Sequence, residues 1–222
     1  MQLTLLGFVL HWVFDARNGW LVLGIMLAMG LVAGVEAVRR TTRRVPRIYP
    51  ASMTVMLASS MAVTLYGLVV VIGTEPWYEP RYAIPIMGMM LGNTLNGISL
   101  GLETTLEGFD TGRRQVELLL TLGATRAEAS REVVRRAVRN GMIPILNSMI
   151  AVGIIAIPGM MTGQILGGED PADAARYQIF ILFSIAGGVA LGTVGVVLAA
   201  TRLVFDDRDR LRTDRIRIVQ GR

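Results

Sequence analysis

Apolar runs of about twenty residues, each with arginines near one end, leave this chain few folds to choose from. Trp20 to Val38 is the clearest, with an aromatic anchor at one end and Arg39, Arg40, Arg43, Arg44 and Arg47 at the other. About 20 helical residues at 1.5 Å each cover a hydrocarbon core about 30 Å thick. Backbone in lipid must satisfy its own hydrogen bonds, so such runs are expected to be helices. Ala51 to Gly73, Ala83 to about Leu106, Met142 to Leu166 and Tyr177 to Val204 repeat the pattern. Leu3 to Phe14 is apolar but only about 12 residues long, which predicts a weakly inserting first segment. Its His11 beside Trp12 reads as interfacial packing rather than metal ligation, since no carboxylates accompany it. The pattern implies an all-α, polytopic membrane helix bundle of about six spans over residues 1–205, followed by a charged tail, 206–222, expected to be partly disordered.

The arginines give this bundle two sides. Three blocks, at 39–47, 113–139 and 202–222, hold all but Arg17, Arg81 and Arg176 of the 22 basic residues. Acidic, aromatic or proline-bearing loops, Thr74 to Pro80 and Gly167 to Pro171, occupy the opposite positions. By the positive-inside rule the arginine blocks and the carboxyl terminus face the cytoplasm, which in a bacterial cell places the chain in the inner membrane. A sequence pI near 10.4 raises nucleic acid as a partner. The arginines flank apolar spans, however, so topology explains them and no nucleic acid is implied. With no cysteine, thiol catalysis and thiolate metal sites are excluded, and no lysine is available for a phosphate-binding glycine loop. No cofactor is expected on this chain.

Between the fourth and fifth runs lies a basic bracket, 108–141, that reads as helix, glycine turn, helix. Leu122-Gly123 supplies a helix stop, and Thr125 with Glu128 has capping-box spacing. Ala127, Val134, Ala137, Val138 and Gly141 share one face of the second helix, and the arginines occupy the other. Two readings stand: a solvated connector whose arginines enforce orientation, or a docking bracket. Its Glu117-x5-Gly123 element resembles the Glu-Ala-Ala-x3-Gly loop with which many ABC importer permeases engage their ATPase, with Leu118 and Leu119 in place of the alanines. In the docking reading Glu117, Leu122, Gly123, Ala124, Val134 and Val138 form the contact.

Polar groups also lie inside the runs. Gly88, Gly92, Asn96, Ser99 and Glu103 fall within about 80 degrees of one helical face, with Asn93 about 60 degrees further round. Asn147 and Ser148 lie in the next run, where Pro158-Gly159 predicts a kink or hinge. One reading is packing, through Gly88-x3-Gly92 and Gly97-x3-Gly101 and amide cross-links of about 1 kcal/mol. The other is a substrate path lined by Asn93, Asn96, Ser99, Glu103, Asn147 and Ser148, because intramembrane polar groups mark such paths. Glu103 fits the cytoplasmic interface equally well. Methionines 87, 89, 90, 160 and 161 read as adaptable packing before soft-metal ligands, and no metal site is assigned.

The runs PWYEPRYAIPIMGMMLGNTLNGISLGLE (76–103), ELLLTLGAT (117–125) and RNGMIPILNSMIAVGIIAIPGMMTGQILGGEDPADAARYQI (139–179) closely resemble the FetB family of ABC-type permeases. The resemblance implies a membrane subunit, a homodimer, working with a separate ATP-binding subunit to export metal ions such as iron; plant relatives are associated with aluminium tolerance. It also implies a further apolar helix ahead of the segment matching residues 1–14. On residues alone, a membrane assembly or regulatory protein and a secondary carrier or channel remain open. A co-purifying ATPase separates them from the permease.

Overall fold

The computed structural model describes residues 13–14, 18–206 and 208–218. The first apolar run and His11 therefore lie almost wholly outside the described residues. Seven α-helices follow: α1 (Gly19–Arg39), α2 (Ile48–Tyr66), α3 (Pro80–Thr111), α4 (Arg113–Thr121), α5 (Arg126–Ala151), α6 (Gly159–Leu166) and α7 (Pro171–Val204). A π-helical stretch, Gly67–Ile72, prolongs α2. Among the described residues three helices, α1, the prolonged α2 and α7, are long and apolar enough to cross a membrane. At 32 residues α3 is also long, about 48 Å, but it carries the glycine, amide and carboxylate positions.

Local chemistry starts these helices where it should. The Asn18 side chain accepts from Trp20 N–H at 3.0 Å to begin α1. Pro80 and Pro171 open α3 and α7, where a missing N–H costs nothing, and Asp170 accepts from Ala172 and Asp173 N–H groups. Between α1 and α2 the chain turns tightly through Arg47, which adopts a left-handed φ of 64°. The two helices then pack closely: a Cβ on Gly34 would lie 2.7 Å from Met53 Cα, and Ser52 donates to the Gly34 carbonyl at 3.0 Å.

Helix α3 is the axis of the bundle and packs against α1, α2, α5 and α7. Its Met87, Met90, Ile98, Leu102, Leu106 and Phe109 are fully buried, so the methionines of α3 largely fill core, as expected of a flexible side chain. The chain ends sort into two poles. Gly19 lies against the Tyr78 ring, so the starts of α1 and α3 are neighbours. At the other pole the α1–α2 turn, the α4–α5 tip and the end of α7 meet.

One sequence expectation changes here. Met142 to Leu166 does not form one kinked span: α5 ends at Ala151, residues 152–158 are non-helical, and α6 has only eight residues. The break begins several residues before Pro158-Gly159, because Gly153 takes φ +83°, a conformation glycine alone adopts freely. Val152, Ile154, Ile155 and Ile157, all β-branched, add little helix propensity. The described part of the tail folds back on the bundle. Arg217–Ile218 pairs antiparallel with Arg43–Arg44, Leu211 is buried, and Phe205 meets Phe109 edge-on at 5.7 Å. Arg126 and Asp209 add an ion pair at 3.3 Å.

Candidate functional site

Helix α3 presents two faces with opposite fates. On one, Gly97 and Gly101 admit the neighbouring helices. A Cβ on Gly97 would meet Thr193 Oγ1 at 2.6 Å and Val189 Cγ1 at 2.7 Å, and one on Gly141 would meet the Gly97 carbonyl at 2.7 Å. The backbones of α3 and α5 thus come together at Gly97 and Gly141 with the Thr193 side chain of α7 against both, the close approach that small residues permit in membranes. On the other face Gly92, Asn96 and Leu100 are exposed and Asn93 is half-buried. A Cβ on Gly92 would meet nothing within 4 Å.

The proposed path residues are distributed between these environments. Ser99 is buried and donates to the Ala37 and Leu95 carbonyls at 3.1 and 2.8 Å, which joins α1 to α3. Asn93 donates to Met89 O at 2.9 Å, within its own helix. Asn96 accepts from the Arg40 guanidinium at 3.2 Å. Glu103 accepts from the Thr42 backbone N–H at 2.7 Å and from the Thr42 hydroxyl, and pairs with Arg43 at 3.2 Å. Its level is therefore that of the turn just beyond α1, the interfacial position, with Asn96 about 10 Å and Asn93 about 15 Å deeper along the helix. Asn147 and Ser148 are exposed on α5. The juxtaposition of Gly97 with Gly141 on antiparallel helices puts them within about a turn of the height of Asn93. Ser148 returns its hydroxyl proton to the Pro144 carbonyl at 3.0 Å.

Arg43 is a structural junction that charge counting treats only as an orientation signal. It bridges Glu103 and Asp110, the latter at 3.2 Å. Its pKa is raised above the ordinary arginine value, first by the hydrogen bond to Asp110, with the Asp110 and Glu103 charges adding and burial opposing. Being also in the ribbon with Ile218, it ties α1, α3 and the tail together.

The bracket is built as its sequence implies. Gly123, at φ +90°, donates to Leu120 O at 3.1 Å, and Ala124 N–H donates to Leu119 O at 3.0 Å. This is a Schellman stop in which glycine supplies the left-handed residue. Thr125 then begins α5: its N–H donates to the Glu128 carboxylate at 2.8 Å, and Glu128 N–H donates to the Thr125 hydroxyl at 3.3 Å. These bonds hold the Glu128 carboxyl below its usual pKa, the Thr125 hydroxyl contributing first. At the tip Leu118 and Leu122 are exposed, Leu122 by 75%, while Glu117 pairs with Arg113 at 2.7 Å. A groove of about 620 Å³ separates Glu117, Leu120 and Ala124 from the tail at Arg208 to Arg212. Val134 and Val138, by contrast, are half-buried against the bundle core.

Pro158 and Gly159, read from the sequence as a hinge, sit at the start of α6, where Pro158 gives no side-chain cap. Just before them Ile154 and Ile155 are more than four-fifths exposed. Among the described residues no three His, Cys, Asp or Glu side chains come together as a metal site.

A family model described as an uncharacterised protein family, UPF0014, matches residues 1–205. A UPF0014 membrane protein of Synechocystis is 38% identical over 95% of this chain and 82% of its own length. The Arabidopsis thaliana protein named ALUMINUM SENSITIVE 3 is 34% identical over 87% of this chain and 70% of its own. The Escherichia coli protein named "Probable iron export permease protein FetB" is 28% identical over 95% and 80%. No solved structure matches the chain.

Proposed function

Because the chain belongs to the UPF0014 family of membrane proteins, we propose that it is the permease subunit of an ABC-type transporter exporting metal ions. ATP is hydrolysed on a separate subunit, and this chain carries out no covalent chemistry. The name of the E. coli relative supports the solute class. The gathering of the arginine blocks at one pole supports the topology: about six spans in the inner membrane, with tip and tail in the cytoplasm. Two copies of the chain form the translocating unit.

One observation carries the reading. The tip that exposes Leu118 and Leu122 follows directly from α3, so a push on the tip is delivered to the helix whose open face bears Asn93 and Asn96. Glu117, Leu122, Gly123 and Ala124 make the ATPase contact, and Val134 and Val138 hold α5 on the bundle behind them. Glu103 and Ser99 secure the cytoplasmic end of the path, and Asn147 and Ser148 line it from α5. Pro158 and Gly159 hinge the short α6.

Co-expression with an ATP-binding subunit tests this. Leu122→Asp is expected to lower partner affinity by about thirtyfold or more, the usual cost of about 2 kcal/mol for losing a central contact. Gly123→Pro, which cannot adopt φ +90°, should do the same while membrane insertion is unchanged. Wild-type binding in both variants would remove the docking reading.

A further inference from the structure

We infer that the cavity between α5 and the end of α7 binds the headgroup of an anionic phospholipid from the surrounding membrane. The cavity holds about 450 Å³ and is lined by Arg126, Arg131, Arg135 and Arg202, with Val134 and Leu198 as its apolar floor. No carboxylate lines it. Among the described residues, Arg131, Arg135 and Arg202 make no ion pair, and Arg126 is the one already paired, with Asp209. The adjoining flank of α5 differs by one carboxylate. There the cavity lined by Arg135, Arg136 and Arg139 includes Glu132, which lies 4.0 Å from Arg136. Among the described residues, three arginines without an ion pair, Arg131, Arg135 and Arg202, thus line one cavity.

The surroundings decide between a lipid and a soluble anion. Above the cavity Leu191, Val194 and Leu198 are exposed along one stripe of α7, which ends at Arg202. Exposed Leu146 continues the facing side of α5. Such a stripe on a membrane-crossing helix lies against acyl chains. A phosphate held by the arginines would therefore have its own chains running up this apolar groove. Basic pockets between spans at the cytoplasmic level have the chemistry to take anionic headgroups, each arginine contributing about fivefold in affinity. The inference requires only that the chain is membrane-embedded. It stands whether or not the chain works with an ATPase.

The test titrates phosphatidylglycerol into the purified full chain in detergent, with phosphatidylcholine and inorganic phosphate as separate arms, read by native mass spectrometry. Phosphatidylglycerol should bind in preference to phosphatidylcholine, and inorganic phosphate should not displace it. Arg131→Gln/Arg202→Gln should weaken phosphatidylglycerol about twenty-five-fold. Arg208→Gln/Arg210→Gln, which removes equal charge from the tail, should change it less than about twofold. Equal binding of the two lipids, equal losses in the two variants, or displacement by inorganic phosphate would each overturn the inference. A second readout places a fluorophore in the cavity with Leu198→Trp. Brominated phosphatidylglycerol should quench it more strongly than brominated phosphatidylcholine at the same mole fraction, and equal quenching would also overturn the assignment.

Discussion

The two faces of α3 carry the same kinds of residue and do opposite things. Gly97 and Gly101 with Thr94 are closed under α5, α7 and their side chains, whereas Gly92 with Asn93 and Asn96 is left open at membrane depth. Small and polar residues let backbones approach on the first face. On the second, among the described residues, Asn96 bonds to Arg40 at the end of α1 and Asn93 bonds back to Met89 of its own helix. Composition alone is therefore a poor guide to packing or path. Whether a neighbouring backbone occupies the space decides it.

The largest expected effect separates the faces by a single methyl group. Gly97→Ala must displace Thr193 or Val189 and is expected to cost about 1 to 3 kcal/mol. Gly92→Ala enters open space and gains helix propensity, up to about 1 kcal/mol. Thermal unfolding of the purified variants reads the difference, and equal shifts would dissolve the distinction. Next is Glu103→Gln, which removes the charge facing Arg43 and Thr42. With both side chains partly exposed, about 1 to 2 kcal/mol is expected. Because Arg43 also sits in the ribbon with Ile218, proteolysis of the tail should quicken in parallel.

A smaller contrast lies between two buried hydroxyls. Ser99→Ala deletes the donor to Ala37 O and should cost about 1 kcal/mol. Thr193→Val should be close to neutral, since the Thr193 hydroxyl is buried without a hydrogen-bond partner. A large loss there would show that a bond to that hydroxyl matters after all. The smallest effect belongs to the tip. Folding lowers the Glu128 pKa, so its stabilisation of the α5 start is present above the ordinary carboxylate range, about 4.3. It is lost as pH falls through the lowered folded value. Amide exchange at Ala127 to Ala129, corrected for intrinsic rates, should lose protection across that range, and Glu128→Ala should abolish the dependence.

What was legible in the sequence follows the reach of each interaction. The tip is local: a glycine stop and a Thr-x-x-Glu start act within four residues, and both form as read. The same holds for the arginine turns that end the apolar runs. The break in the fifth run was visible only through Pro158, because nothing in the letters shows that Gly153 adopts φ +83°. Residues 43 and 103 are sixty positions apart, so their pair could not be seen, and Glu103 kept two readings. The tail looked merely charged because Phe205, Leu211 and Ile216 are single apolar residues among arginines and aspartates. Their burial depends on Phe109 and the α1–α2 turn. Likewise the 3.6-residue period separates Gly92 from Gly97 but does not say which face a neighbour covers.

The central claim is that the open face of α3 lines the solute path and is driven through the tip. Under the proposed function, iron-stimulated ATP hydrolysis by the complex of this chain with an ATP-binding subunit, reconstituted in liposomes and normalised to folded protein, tests it most directly. Asn93→Ala and Asn96→Ala are expected to keep partner binding and basal hydrolysis but to lose stimulation, while Thr94→Val on the closed face keeps it. Full stimulation in both asparagine variants would contradict the claim and shift the search for the path to the break at 152–158.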